Sequence, residues 1–243
     1  MSNSILSINN VSKRYAQKSN YAIQNISFDI NEGEIVGILG HNGAGKSTTL
    51  KCITGMLPFE RGEIKICGHS IKSEPLIAKQ NFGFVSDNHA VFERMTGREY
   101  LNFLADIYSV EPACRDEKIE EFQQIFHLGN SLNYIISSYS HGMKQKICLM
   151  GSILHQPKLW ILDEPLTGLD AKIAQALKSY IKTYQELGNT IIFSTHNLDV
   201  IEKVCTRAIF IINGKLTHDI IIEDYKKNNS IPFEEFALEH IGG

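Results

Sequence analysis

The sequence predicts an α/β fold with a mainly parallel central sheet, an N-terminal antiparallel β subdomain and an inserted α-helical subdomain. Three features predict it. A short apolar run at 34–39 leads into a glycine-rich stretch at 40–48 and then into helix-forming residues up to Ile53. Two further runs, 159–162 and 190–194, are almost continuously apolar, the pattern of central parallel strands covered on both faces. Between about residue 87 and residue 155 the strand rhythm stops and helical periodicity replaces it.

In chain order, alternating β-branched and polar residues at 5–9 and 22–30 predict the first strands. Residues 62–67 alternate strictly, as a half-exposed strand does, and 82–86 form another short strand. Thr96 with Glu99 three residues later is a capping box. It opens a helix carrying Tyr100, Phe103, Leu104 and Ile107. A second amphipathic helix over 115–128 turns Ile119, Phe122, Ile125 and Phe126 inward. Ser140 suits the N-cap of an apolar helix that runs to Leu154. After Pro157 come a strand at 159–162, a helix at 171–187, a strand at 190–194, and a last strand and turn at 207–214. A polar hinge at 226–230 precedes a short terminal helix at 232–241. The chain is therefore expected to be one domain, its core at about 1–86 and 156–225, its helical subdomain at about 87–155 and its tail at 226–243.

Hydrophobic residues are 43% and charged residues 21%, as in ordinary globular proteins. The net charge of −3, without a basic stripe, argues against a nucleic-acid partner. No apolar run approaches the roughly 18–20 residues that span a bilayer. The N-terminus lacks the basic and apolar regions of a signal peptide, so the expected location is cytoplasmic. The five cysteines form no C-x-x-C pair and read as small buried hydrophobes in a reducing compartment.

Residues 40–48 fit G-x-x-x-x-G-K-[ST], the phosphate-binding loop. A strand that turns sharply into a helix aims several backbone N–H groups at one point, and the helix N-terminus adds partial positive charge there. Gly40, Gly43 and Gly45 let the loop wrap closely. Lys46 is expected to reach the β- and γ-phosphates of a bound triphosphate, and the Ser47 hydroxyl to ligate Mg²⁺. The strand at 159–162 runs into Asp163, placed to hold Mg²⁺ through water, and Glu164, placed to orient or deprotonate an attacking water. His196 ends the next central strand and is expected beside those acids.

Together these residues resemble the nucleotide-binding subunit of ABC transporters over nearly the whole chain, to about residue 225. Gly40, His41, Asn42, Gly43, Ala44, Gly45, Lys46, Ser47 and Thr48 match Walker A. Residues 139–143 match the family signature L-S-G-G-Q, 159–164 match Walker B, Asp170 closes the D-loop, and His196 matches the switch histidine. Tyr15 matches the aromatic that stacks on adenine. The signature between the two Walker motifs is specific to this superfamily.

The resemblance implies an ATP hydrolase on the cytoplasmic face of the membrane, bound to a separate permease subunit. It also implies a head-to-tail homodimer, or a heterodimer with a related ATPase subunit. In that dimer Ser140 and Gly142 of one subunit complete the γ-phosphate site of the other. Three departures stand out. Asp87 replaces the usual glutamine, where an acid is still able to ligate Mg²⁺; His141 replaces the first signature glycine; Met143 replaces the signature glutamine. Asp87 and the residues from Phe92 onward resemble bacterial export-type ATPases, which move drugs, peptides or surface polymers. The alternatives are a soluble ABC ATPase not coupled to transport, a regulatory module without turnover and a P-loop kinase. The first usually has coiled coils, zinc modules or tandem ATP domains. The second is opposed by intact Lys46, Asp163, Glu164 and His196, and the third does not need the signature.

Overall fold

The computed structural model describes residues 4–15, 20–89 and 91–241. Residues 1–3, part of the stretch read for a leader, lie outside them. Strands β1 (Ser4–Arg14) and β2 (Tyr21–Asn31) pair antiparallel. β4 (Arg61–Ile66) and the two-residue β5 (His69–Ser70) extend them into a four-stranded antiparallel sheet, order β2-β1-β4-β5.

The central sheet has six strands: β3 (Ile35–Leu39), β6 (Phe82–Val85), β7 (Leu159–Asp163), β8 (Thr190–Ser194), β9 (Arg207–Ile212) and β10 (Lys215–Ile221). Their order is β10-β9-β3-β8-β7-β6, parallel except for the β9–β10 hairpin. β3, β7 and β8 are buried along their whole length. This explains why they read as unbroken apolar runs rather than alternating ones.

The pleat sends successive side chains to opposite faces. Val36, Ile38, Ile161, Ile192 and Ile209 pack toward the antiparallel sheet and α1 (Lys46–Ile53). Leu39, Trp160, Leu162, Phe193 and Phe210 pack toward the helices on the other side. Those helices include α3 (Gly97–Ile107), α4 (Pro112–Phe126), α5 (His141–Ile153), α6 (Ala171–Glu186) and α7 (Leu198–Val204). A short helix, α2 (Pro75–Gln80), precedes β6, and α8 (Ile222–Asn228) and α9 (Phe233–Ile241) close the chain. The capping box at the start of α3 is present, with Thr96 Oγ1 accepting from the Glu99 N–H and Glu99 accepting from the Thr96 N–H.

Four details differ from the sequence reading, the first being that α8 runs to Asn228, through most of the stretch expected as a polar hinge at 226–230. Phe103 and Ile107 of α3 are exposed, because Leu101 and Ala105 share the inward stripe with Tyr100, and 100° per residue turns 103 and 107 away. α4 begins at Pro112, whose fixed φ suits a first helical turn. Cys114 is exposed on that helix and Cys67 is half-buried, whereas Cys52, Cys148 and Cys205 are buried.

One packing contact carries a pH prediction. His155, just beyond α5, stacks on Tyr108 with ring centroids 3.7 Å apart, and its Nε2 lies 3.1 Å from the Phe82 carbonyl. Burial pushes its pKa down from 6.5 to about 4. The unfolded chain therefore binds this proton more readily than the folded chain. The contribution is fully present above about pH 6.5 and is lost as pH falls toward 4, by roughly 3 kcal/mol at most. Urea melts between pH 7 and pH 4 are expected to show a loss that His155→Gln reduces.

Candidate active site

The site forms where β3, β7 and β8 end side by side. The loop after β3 carries Gly40 to α1, which begins at Lys46. Gly45 caps α1 with φ 112°, and a Cβ there would stand 2.8 Å from the Ala22 carbonyl, so only glycine fits. Lys46 is buried and its ammonium donates to the carbonyls of Gly40 at 2.8 Å and His41 at 3.3 Å. Burial lowers its pKa, and the charges of Glu164 and Asp163 oppose that shift. The lysine is thus a cation held inside the loop, its charge directed at the space the loop encloses.

Asp163 ends β7 and is fully buried. Its Oδ1 accepts from Ser47 Oγ at 2.9 Å and from Ser194 Oγ at 2.6 Å, and its Oδ2 has no partner among the described residues. A buried carboxylate oxygen without a donor is costly unless something occupies it. Glu164 follows in the left-handed region, φ 49°, uncommon for a residue with a side chain. Its N–H donates to Ser194 Oγ at 3.0 Å, and its Oε2 lies 3.1 Å from His196 Nδ1. Ser194 was not among the expected site residues, yet it aligns both acids. Ser194→Ala removes both bonds and is expected to lower turnover at least about tenfold and the melting temperature by several degrees, since it leaves the Glu164 N–H without its partner.

A cavity of 520 Å³ is lined by Gly40, His41, Asn42, Asp87, Glu164 and His196 among others. A second, of 290 Å³, shares Asn42, Asp87 and Glu164 with the first and adds Gly43, Gly45, Lys46, Ser47 and Thr48. Ala44 is buried, its carbonyl accepting from the Gly214 N–H. Tyr15 is half-exposed at the outer edge, its hydroxyl 3.3 Å from Thr48 Oγ1. Asp87 faces both cavities, and its Oδ1 is paired with Lys51 at 3.1 Å. The remaining expected residues lie apart. Ser140 caps α5 by accepting from the Met143 N–H, and Gly142 follows in that helix against the Gly168 carbonyl. Asp170 caps α6 by accepting from the Ile173 N–H, a bond that lowers its pKa. Ser140, Gly142 and Asp170 line neither cavity.

Comparison with known proteins decides the family. The family model described as ABC transporter matches residues 23–167. The chain belongs to the ABC transporter family. The SkfA peptide export ATP-binding protein SkfE of Bacillus subtilis (strain 168) is 32% identical over 227 residues, 92% of each chain. The sulfate/thiosulfate import ATP-binding protein CysA of Synechocystis sp. is also 32% identical over 227 residues, 93% of this chain and 63% of that one. A solved ATP-binding subunit of an ABC transporter superposes with a TM-score of 0.91 at 28% identity, covering 97% of this chain and 99% of that one. This ABC protein is thus an ATP-binding subunit with the ATPase fold, and its helical insertion separates β6 from β7.

Among the described residues no helix is long and apolar enough to cross a membrane. None of them form a cluster of three or more His, Cys, Asp or Glu side chains placed to hold a metal unaided. Mg²⁺ in nucleotide sites commonly takes one or two protein oxygens and completes its shell with phosphates and water. The Ser47 hydroxyl beside the orphaned Asp163 oxygen fits that use.

Proposed function

We propose that the chain hydrolyses ATP as the energy-coupling subunit of an export-type ABC transporter, on the cytoplasmic face of the membrane. The observation that supports this reading best is the buried Asp163, bonded to Ser47 and Ser194 with one oxygen unpartnered among the described residues, next to a Glu164–His196 pair that lines the 520 Å³ cavity. The loop N–H groups and Lys46 bind the β- and γ-phosphates. Ser47 and Asp163 would hold Mg²⁺, which would supply charge neutralisation between the phosphates, and Asp87, which lines a cavity with Ser47, would take part once Lys51 releases it. Glu164 takes the proton of the attacking water, and His196 holds the Glu164 carboxylate in place. Tyr15 offers its ring to the base.

The reading divides the chain into a nucleotide-binding core, a helical subdomain over about 87–155 and a terminal tail. It also pairs two copies, or this chain and a related subunit, head to tail. Ser140 and Gly142 line neither cavity of their own chain, and the first turn of α5, where Ser140 Oγ caps the Met143 N–H, suits a nucleotide held by another copy. ATP then favours the closed pair and hydrolysis reopens it, because only differential binding moves such an equilibrium. A peptide-export and a sulfate-import ATPase are equally similar at 32% identity, so the export reading rests on Asp87 and the segment from Phe92. The cargo is expected to touch the permease rather than this subunit.

The permease is proposed to dock where Phe92 and Phe103 stand exposed with rings 5.4 Å apart, beside a 240 Å³ groove that includes Met56, Phe84 and Tyr108. Phe92→Glu is expected to abolish co-purification with a membrane subunit and to leave basal ATP hydrolysis unchanged. Retained assembly in that variant moves the docking surface elsewhere.

A further inference from the structure

Two histidines at the large cavity have no part in the scheme above. His141 opens α5, at the place where the family signature has glycine, and its side chain is exposed to the cavity. His89 lines the same cavity but is only 6% exposed, and its ring meets that of His141 edge-on at 4.9 Å and 77°. Among the described residues neither ring nitrogen of His89 has a hydrogen-bond partner. On the other side, Gly168 has φ 85°, and a Cβ there would stand 3.0 Å from His141 Cδ2 and 3.3 Å from Nε2. The His141 ring is therefore held between the buried His89 and a turn whose glycine leaves it room. A buried imidazole that makes no hydrogen bond needs a reason to be where it is, and contact with His141 supplies one.

We propose that His141 is an additional ligand for the terminal phosphate in the composite site, and that His89 is its positioning residue. The proposal rests on the head-to-tail reading. There the N-terminus of α5 meets a nucleotide held by a second copy, and an imidazole N–H adds a side-chain donor to the backbone donors of residues 140–142. Helix N-termini favour anions on their own; the chain-specific element is the ring fixed beside this one. His89 does not touch the phosphate. It limits the directions in which the His141 ring points, so less freedom is lost when the two subunits close.

The test uses the full chain in two backgrounds. With native Glu164, kcat and nucleotide affinity of the monomer are measured. With Glu164→Gln, sedimentation at increasing Mg²⁺-ATP reads the closed dimer. His141→Gly, which installs the family's own residue, is expected to lower kcat about tenfold and to raise the ATP needed for half-maximal dimerisation by about the same factor, the size of one charge-assisted hydrogen bond. Monomer affinity and melting temperature stay unchanged. His141→Lys, which keeps a donor, restores most of the loss. His89→Gln acts in the same direction and adds nothing to His141→Gly, as expected for residues working as a unit. A His141→Gly chain that turns over and dimerises like its parent overturns the proposal and leaves the head-to-tail reading intact. A His89→Gln loss that persists in the His141→Gly chain removes the positioning role. A Glu164→Gln parent that stays monomeric with Mg²⁺-ATP overturns the proposal and that reading together.

Discussion

Replacing Glu164 with glutamine is expected to lower ATP turnover by about a hundredfold or more, while ATP binding persists. Loss of a well-placed general base costs roughly 10²–10⁴ in rate. The amide keeps the shape of the carboxylate and is able to bond His196, but it does not take a proton from water. The backbone at 164 is held independently, because its N–H donates to Ser194 Oγ rather than depending on the side chain. Its left-handed φ of 49° is no harder for glutamine than for glutamate. Lys46, Ser47 and Asp163 are untouched, so binding remains and the ATP-bound dimer accumulates. Phosphate release and equilibrium binding of a fluorescent ATP analogue, measured on the same preparation, check both halves. Equal turnover in variant and parent removes Glu164 from its role.

Lys46→Ala is expected to reduce both binding and hydrolysis, binding by at least about tenfold, in line with loss of a charge-assisted contact. In the folded chain the ammonium already spans the loop between the Gly40 and His41 carbonyls. Its removal takes a cation from the phosphates and two hydrogen bonds from the loop. The nearby Glu164 and Asp163 charges, which hold the lysine pKa up against burial, are then left facing an anionic ligand with less compensation. Binding of the same fluorescent analogue reads the first effect, and phosphate release the second. Melting temperature separates both from unfolding, since α1 is anchored through buried Leu50, Cys52 and Ile53.

Much of this site is legible in the amino-acid sequence because its physics is local. A loop that cradles phosphate needs glycines and a helix start within a few residues. A strand buried on both faces needs an unbroken apolar run, and the two acids follow directly at the end of one. The capping box of α3 and the N-cap at Ser140 are also decided within four residues. What escaped depends on long-range neighbours. Ser194 looks like any strand-end serine until β7 and β8 pair in register and place its hydroxyl between the acids. The importance of His89 appears only when α5 packs beside it. Strand β10 has alternating half-burial and no fully buried face, so its sequence gives a weak signal and its position comes from the hairpin with β9. The terminal helix α9 reads from the sequence only as part of a short tail; in the fold Phe233 is buried against Phe210 and Leu238 reaches the rim of the large cavity.

The central claim is that this ATP site drives a membrane protein. The most direct test is to capture the tagged full chain from detergent-solubilised membranes of its own cell and identify what accompanies it. The account predicts a polytopic membrane subunit in fixed proportion, lost with Phe92→Glu, in a complex that releases phosphate from ATP. Recovery at normal yield with soluble partners alone would contradict it.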